Sequence, residues 1–216
     1  CAIVSRDTHA LTGANMQRPL VVIDVQRGNI TEYNRFIPSG IASIVKAQLF
    51  DPIIFTRYVN TADSPARRLL ESKFMSEAGE AGMATEIAEV MGNVPPLTQY
   101  GVTDLGPNYN AKRFLVTRNI YTAFTPEFEE LLATLELDNT GLYVVGADTE
   151  TGVLKTSVDC FERGIEPIVF SQFCGSHRGL GYHEKALDIL KELIGETRVV
   201  KDYMPLRQRW ERAKKA

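Results

Sequence analysis

The residues of this chain that could do chemistry stand where apolar runs end. The run Leu20 to Ile23 closes on D-V-Q, which puts Asp24 and Gln26 at the end of a strand-like stretch. A carboxylate there must be met by partners or used for proton transfer, because an unpaired buried carboxylate is costly. Thr117 is followed by R-N-I-Y-T-A-F, bringing Arg118, Tyr121 and Phe124 to a second such end. The third, V-V-G-A-D-T-E-T-G-V-L, carries Asp148 and Thr149 straight into a helical pattern that starts near Thr151. The free N–H groups and positive dipole end of a helix start suit an oxyanion or a carboxylate.

Thiols are the other candidates. There are three cysteines, Cys1, Cys160 and Cys174, an odd number and too few for a disulfide framework, which fits a reducing compartment. Cys1 opens a polar stretch that offers it no base, and Cys160 and Cys174 read as small buried or half-buried residues. His9, His177 and His183 show no H-x-H or H-x-x-x-H spacing, so no metal site is expected. His177, in C-G-S-H-R-G, reads as a surface-loop histidine near a strand end. Without a G-x-G-x-x-G or Walker-type loop, no nucleotide cofactor is expected either.

Bringing the three ends together takes a sheet. Runs at Pro19 to Val25, Pro52 to Tyr58, Arg113 to Thr117, Gly141 to Ala147, Glu166 to Phe170 and Thr197 to Val200 have the look of buried parallel strands. Between them, apolar stripes at helical spacing run through Ile41, Ile44, Val45 and Leu49, through Phe128, Leu131, Leu132 and Leu135, and through Val153, Leu154, Val158 and Phe161. A last stripe through Ala186, Leu187, Leu190, Leu193 and Ile194 ends at Gly195, a C-terminal cap. The alternation predicts a doubly wound α/β domain, a mainly parallel six-stranded sheet between helical layers, with ligands outside the carboxyl ends of its strands.

One domain accounts for the length of 216 residues and 24.1 kDa. Residues 1–18 read as an arm, 19–203 as the domain and 204–216 as a basic tail. Phe74 to Lys112, rich in Gly and Pro around one helical pattern at Ala84 to Met91, is too long for a connector and reads as a lid or a subunit contact. A net charge of −3 gives no basic field for nucleic acid or an anionic membrane, so the expected partner is a small molecule. No apolar stretch suits a membrane span or an export signal, and a soluble, cytoplasmic protein is expected.

Taken in order, D-V-Q at Asp24 to Gln26, R-N-I-Y-T-A-F at Arg118 to Phe124 and G-A-D-T-E-T-G-V-L-K-T-S at Gly146 to Ser157 resemble the isochorismatase-like hydrolase superfamily. That group also holds nicotinamidases and N-carbamoyl amide hydrolases. Its pattern is a strand ending D-x-Q, then K-x-x-Y-S-A-F, then G-V-x-T-x-x-C-V-x-x-T-A entering a helix, and order and spacing agree from about Pro19 to Val200. The resemblance implies the family's Rossmann-like fold, hydrolysis of a small molecule and a homodimer or higher oligomer. Most members use an Asp, Lys and Cys triad whose thiolate attacks an amide carbonyl. Here the Asp is kept as Asp24, the Lys position carries Arg118 and the Cys position carries Gly152. Cys160 lies eight residues further along the same helix, about two turns away, and cannot simply stand in.

Isochorismatases proper also carry glycine at that position. They cleave a vinyl ether, with a carboxylic acid protonating the methylene carbon and water trapping the oxocarbenium as pyruvate departs. By this resemblance Asp24 is the acid, Tyr121 a pocket wall and Arg67 a carboxylate clamp, while Tyr58 stands where those enzymes carry Gln. Arg118 keeps the positive charge but cannot relay a proton. Beside a permanent cation Asp24 suits the work of a base, activating a water lodged in the space that Gly152 leaves. Gln26, Phe124, Asp148 and Thr149 complete the expected substrate-binding set. Three functions are thus open: a hydrolase of a small anionic molecule without a cysteine nucleophile, a non-catalytic ligand-binding or interaction protein on the same scaffold, and an amide hydrolase using another group in place of Cys.

Overall fold

A computed structural model describes residues 18–137 and 140–204. The expected arm and basic tail therefore lie outside the described residues, save Arg18 and Met204, as do Cys1 and His9. In chain order the elements are β1 (Leu20–Ile23), α1 (Ile37–Lys46), β2 (Ile53–Tyr58), α2 (Pro65–Leu70), α3 (Ala78–Ala81), α4 (Thr85–Met91), β3 (Gly101–Asp104) and β4 (Arg113–Arg118). They continue with α5 (Pro126–Thr134), β5 (Leu142–Ala147), α6 (Leu154–Glu162), β6 (Pro167–Gly175), α7 (Leu180–Ile194) and β7 (Val199–Val200).

The strands form one sheet in the order β3-β4-β2-β1-β5-β6-β7. Every neighbouring pair is parallel except β3 with β4. Alternate side chains of the central strands serve opposite faces. Leu20, Val22, Phe55, Tyr143 and Val145 pack with Ile41 of α1 and Ile87 of α4. Val21, Ile23, Ile54 and Val144 pack with Phe128 of α5, Cys160 of α6 and Leu190 of α7. Both faces are covered, which is why the strands read as unbroken apolar runs. The chain moves outward from β1 to β2 and β4, then returns to β5 on the other flank of β1. The β1–β5 junction is thus the topological switch point, where a crevice opens at the carboxyl ends.

Six strands are expected from the sequence, and the described residues form seven. The additional one, β3, lies inside the Phe74 to Lys112 segment and pairs antiparallel at the edge, Val102 opposite Val116. Its G-V-T-D residues are half-exposed or exposed, so it lacks the apolar run of a central strand. The rest of that segment is fastened down. Gln26 Nε2 donates to Ala81 O (2.6 Å), and Arg27 donates to the carbonyls of Ala78 and Gly79. Arg113 Nη1 reaches Val90 O at 2.7 Å and Met91 O at 3.0 Å. The wholly buried Arg57 donates to Pro95 O at 2.8 Å and Pro96 O at 2.7 Å. These guanidinium-to-carbonyl bonds make the segment a fixed cap on the sheet edge. Replacing Arg57 with Met strands both carbonyls, and the expected loss is about 2–3 kcal/mol in a urea melt, with new proteolytic cutting near Pro95.

Candidate active site

At the switch point β1 and β5 approach so closely that Ile23 pairs with Gly146. Gly146 has φ 131, and a Cβ there would sit 2.0 Å from the Ile23 carbonyl oxygen, so only glycine fits. One residue on, Asp24 takes φ 45, in the left-handed region that costs a non-glycine residue roughly 1–3 kcal/mol. Its neighbours fix that turn. Asn29 Nδ2 donates to the Asp24 carbonyl at 2.9 Å and the Gln26 N–H does so at 2.7 Å. The turn aims the Asp24 side chain across β2 toward β4.

There the carboxylate meets Arg118. Nη1 donates to Oδ1 at 2.9 Å and Nη2 to Oδ2 at 2.8 Å, a bidentate clasp. Thr56 Oγ1 adds a third donor to Oδ1 at 2.7 Å. Arg118 is itself preset by the carbonyls of Thr122 (2.6 Å) and Tyr121 (2.9 Å). The side chains of Arg118 and Asp24 are 1% and 7% exposed, so water reaches only a sliver of the carboxylate. In all three bonds Asp24 is the acceptor.

Gly152 lies in the π-helical turn Thr149–Val153 that leads into α6. A Cβ at this position would lie 2.7 Å from Ile23 Cγ2, 3.0 Å from Asp24 Oδ2 and 3.7 Å from Arg118 Nη2. Asp24, Arg118 and Gly152 therefore converge. A side chain at residue 152 would first crowd the Ile23 methyl and the carboxylate.

Two further groups lack partners. Tyr58, at the end of β2, is 8% exposed and stacks at a tilt on Tyr121 with ring centroids 5.9 Å apart. Its hydroxyl is enclosed beside Ser64, whose own hydrogen is turned to Asn60 and the Thr61 carbonyl, and has no well-formed hydrogen bond. Burial holds that phenol above the usual tyrosine range and therefore protonated. Arg67 Nη1, from α2, is likewise enclosed with no partner. A buried donor without an acceptor costs about 1–3 kcal/mol, which a bound anion would relieve. Tyr121, 45% exposed, stands at the rim.

The remaining expected site residues are placed elsewhere. Gln26 is fully buried and its amide is used up, donating to Tyr58 O and Ala81 O and accepting from Tyr58 N, so it joins strand to cap. Phe124 is a core ring, edge-on to Phe128 at 5.1 Å and covered by the Arg163 guanidinium at 4.5 Å. Thr149 Oγ1 is hydrogen-bonded to His183 Nδ1 at 2.8 Å. Asp148 accepts from the His177 N–H at 2.8 Å and pairs with its Nδ1 at 2.6 Å. His177 is therefore a tethered residue, stacked on Phe74 of the cap at 5.0 Å, and not a free loop histidine.

The Asp148 hydrogen bond raises the His177 pKa above its ordinary 6.5. A raised folded-state value means that this pair adds stability in full below the unfolded value and loses it as pH rises through the folded one. An Asp148→Asn variant is expected to lower the imidazole titration seen by NMR and to flatten that part of the stability profile. Both described thiols are silent at neutral pH, since burial pushes Cys160 and Cys174 up to about 12. Among the described residues no three His, Cys, Asp or Glu side chains converge on a metal position, and no helix is long and apolar enough to cross a membrane.

A doubly wound α/β fold with a carboxylate and a cation meeting at its switch point defines the class, and comparison with known proteins gives the family. The sequence profile described as Isochorismatase domain matches residues 19–201, and the chain belongs to that family of isochorismatase-like hydrolases. It is similar to the nicotinamidase/pyrazinamidase of Bacillus subtilis, at 21% identity and TM-score 0.64 over 83% of this chain and 97% of that one. It is also similar to an isochorismatase-like hydrolase from Alkaliphilus metalliredigens, at 14% identity and TM-score 0.60 over 92% and 96%. N-carbamoylsarcosine amidase from Thermoplasma acidophilum aligns at 17% identity and TM-score 0.54 over 87% and 98%. No curated protein sequence matches the chain.

Proposed function

We propose that this chain is a hydrolase of a small anionic molecule that works without a covalent thiol step, with Asp24 as general base toward water. The observation that carries the reading is the Asp24 environment: both carboxylate oxygens accept from Arg118, Oδ1 also accepts from Thr56, and a glycine without a nucleophile stands beside them at residue 152. Arg118 holds and orients Asp24 but relays no proton. The enclosed Tyr58 hydroxyl and Arg67 Nη1 supply donors for a substrate carboxylate, and Tyr121 offers a ring at the rim. A general base of this kind is worth about 10²–10⁴ in rate.

Product release from isochorismate, nicotinamide and an N-carbamoyl amino acid tests this. Arg67→Ala should raise KM about 10-fold or more with kcat little changed, while Asp24→Asn should lower kcat about 100-fold or more with KM little changed. The reverse split, or no effect from Asp24→Asn, contradicts the assignment. The tightness of the Asp24–Arg118 clasp favours a second reading, a ligand-binding protein without turnover. In that case the panel stays uncleaved while carboxylates bind in an Arg67-dependent way.

A further inference from the structure

The carboxyl end of β6 borders a cavity of about 520 Å³, within the range of small-molecule sites. Its walls include none of Asp24, Arg118, Tyr58 or Gly152. It lies between the residues leading into α1, the outer flank of β6 and the first turn of α7. Tyr33, Phe36 and Leu180 form the apolar part and remain 58%, 55% and 64% exposed.

Its polar groups are few and separated. At one end are Ser176, whose hydroxyl donates to Glu150 Oε1 at 2.6 Å, and His183. With His183 Nδ1 bonded to Thr149, Nε2 is the ring nitrogen left without a protein partner among the described residues. At the other end is Lys201, held beside Gln172 by the Gln172 N–H to Lys201 carbonyl bond of 2.9 Å. Its ammonium has no ion pair among the described residues. A step of two residues in β5, Val144 to Gly146, spans five in β6, Val169 to Cys174, so β6 bulges where Gln172 sits and turns it away from the Ser176 end. The Glu150 carboxylate behind Ser176 repels an anion from the His183 end and leaves Lys201 as its seat.

We propose that this cavity binds a small amphipathic anion, its ring or branched apolar body between Phe36 and Leu180, its carboxylate or sulfonate on Lys201 and a hydrogen-bonding group toward His183. The site is independent of the chemistry assigned to Asp24.

Fluorescence titration of the full chain with 8-anilinonaphthalene-1-sulfonate, an aromatic sulfonate, tests it. The expected result is saturable binding of one probe per chain. Leu180→Glu, which sets a like charge at the mouth, should weaken binding about tenfold or more. Lys201→Ala should weaken it several-fold and remove the preference over uncharged N-phenyl-1-naphthylamine, while Arg67→Ala leaves it unchanged. If Leu180→Glu melts below the wild type, Phe36→Ser gives the same readout. Non-saturating binding, indifference to the substitutions at 180 and 36, or loss on Arg67→Ala overturns the proposal.

Discussion

Replacing Arg118 with Met is expected to destabilise the protein by about 3–5 kcal/mol, the cost of leaving a buried carboxylate uncompensated. The guanidinium supplies two of the three donors on Asp24 and also satisfies the Tyr121 and Thr122 carbonyls. Its loss strands three acceptor atoms, Asp24 Oδ2 and the two carbonyls, and leaves Oδ1 to Thr56 alone, in a place where only a sliver of the carboxylate meets water. Urea denaturation reads the difference directly. Removing the charge as well, in Arg118→Met with Asp24→Asn, should recover more than half of the loss, because the penalty comes from the unpaired charge rather than from the missing side chain. A double variant no more stable than Arg118→Met would show that the clasp is not where the energy lies. Arg118→Lys should fall between, keeping the charge but giving up the bidentate geometry.

The second large effect concerns Gly152. Restoring the family's cysteine with Gly152→Cys should cost about 1–3 kcal/mol and produce no nicotinamide or carbamoyl hydrolysis. Its Cβ would press on Ile23 Cγ2 at 2.7 Å and on Asp24 Oδ2 at 3.0 Å, so the Ile23 side chain, and with it the carboxylate or the backbone, must give. Adding Ile23→Ala removes the obstructing methyl and should return part of the stability. Arg118 would still stand where most of the family has a lysine able to share the thiol proton. Stability unchanged by Gly152→Cys, together with new amide hydrolysis, would mean that the pocket had remained open.

The parts of the fold buried on both faces were legible in the amino-acid order, since Leu20 to Ile23 or Leu142 to Val145 has no other way to be covered. β3 was not, because an edge strand of four residues with Val102 as its single large apolar side chain carries no such run. β6 extends past Phe170 to Gly175 for a related reason: Ser171 and Gln172 are partly or fully exposed and break the pattern. In the site, Asp24 and Arg118 announced themselves as charges closing apolar runs, and they do meet. Gln26, Phe124, Asp148 and Thr149 sit at the same strand ends yet point to backbone, core or histidine partners. Position along a strand does not say which neighbour a side chain reaches. Thr56, the third donor to Asp24, was hidden inside an apolar run, and the crowding that a side chain at residue 152 would meet depends on a methyl group from another strand.

The central claim, chemistry at Asp24 without a thiol, is tested most directly by comparing turnover of one cleaved substrate among three chains: wild type, a chain with Cys1, Cys160 and Cys174 all changed to Ala, and Asp24→Asn. The cysteine-free chain is expected to keep the wild-type kcat within about threefold, while Asp24→Asn loses about 100-fold or more. Activity that disappears with the cysteines, or that survives Asp24→Asn, would contradict it.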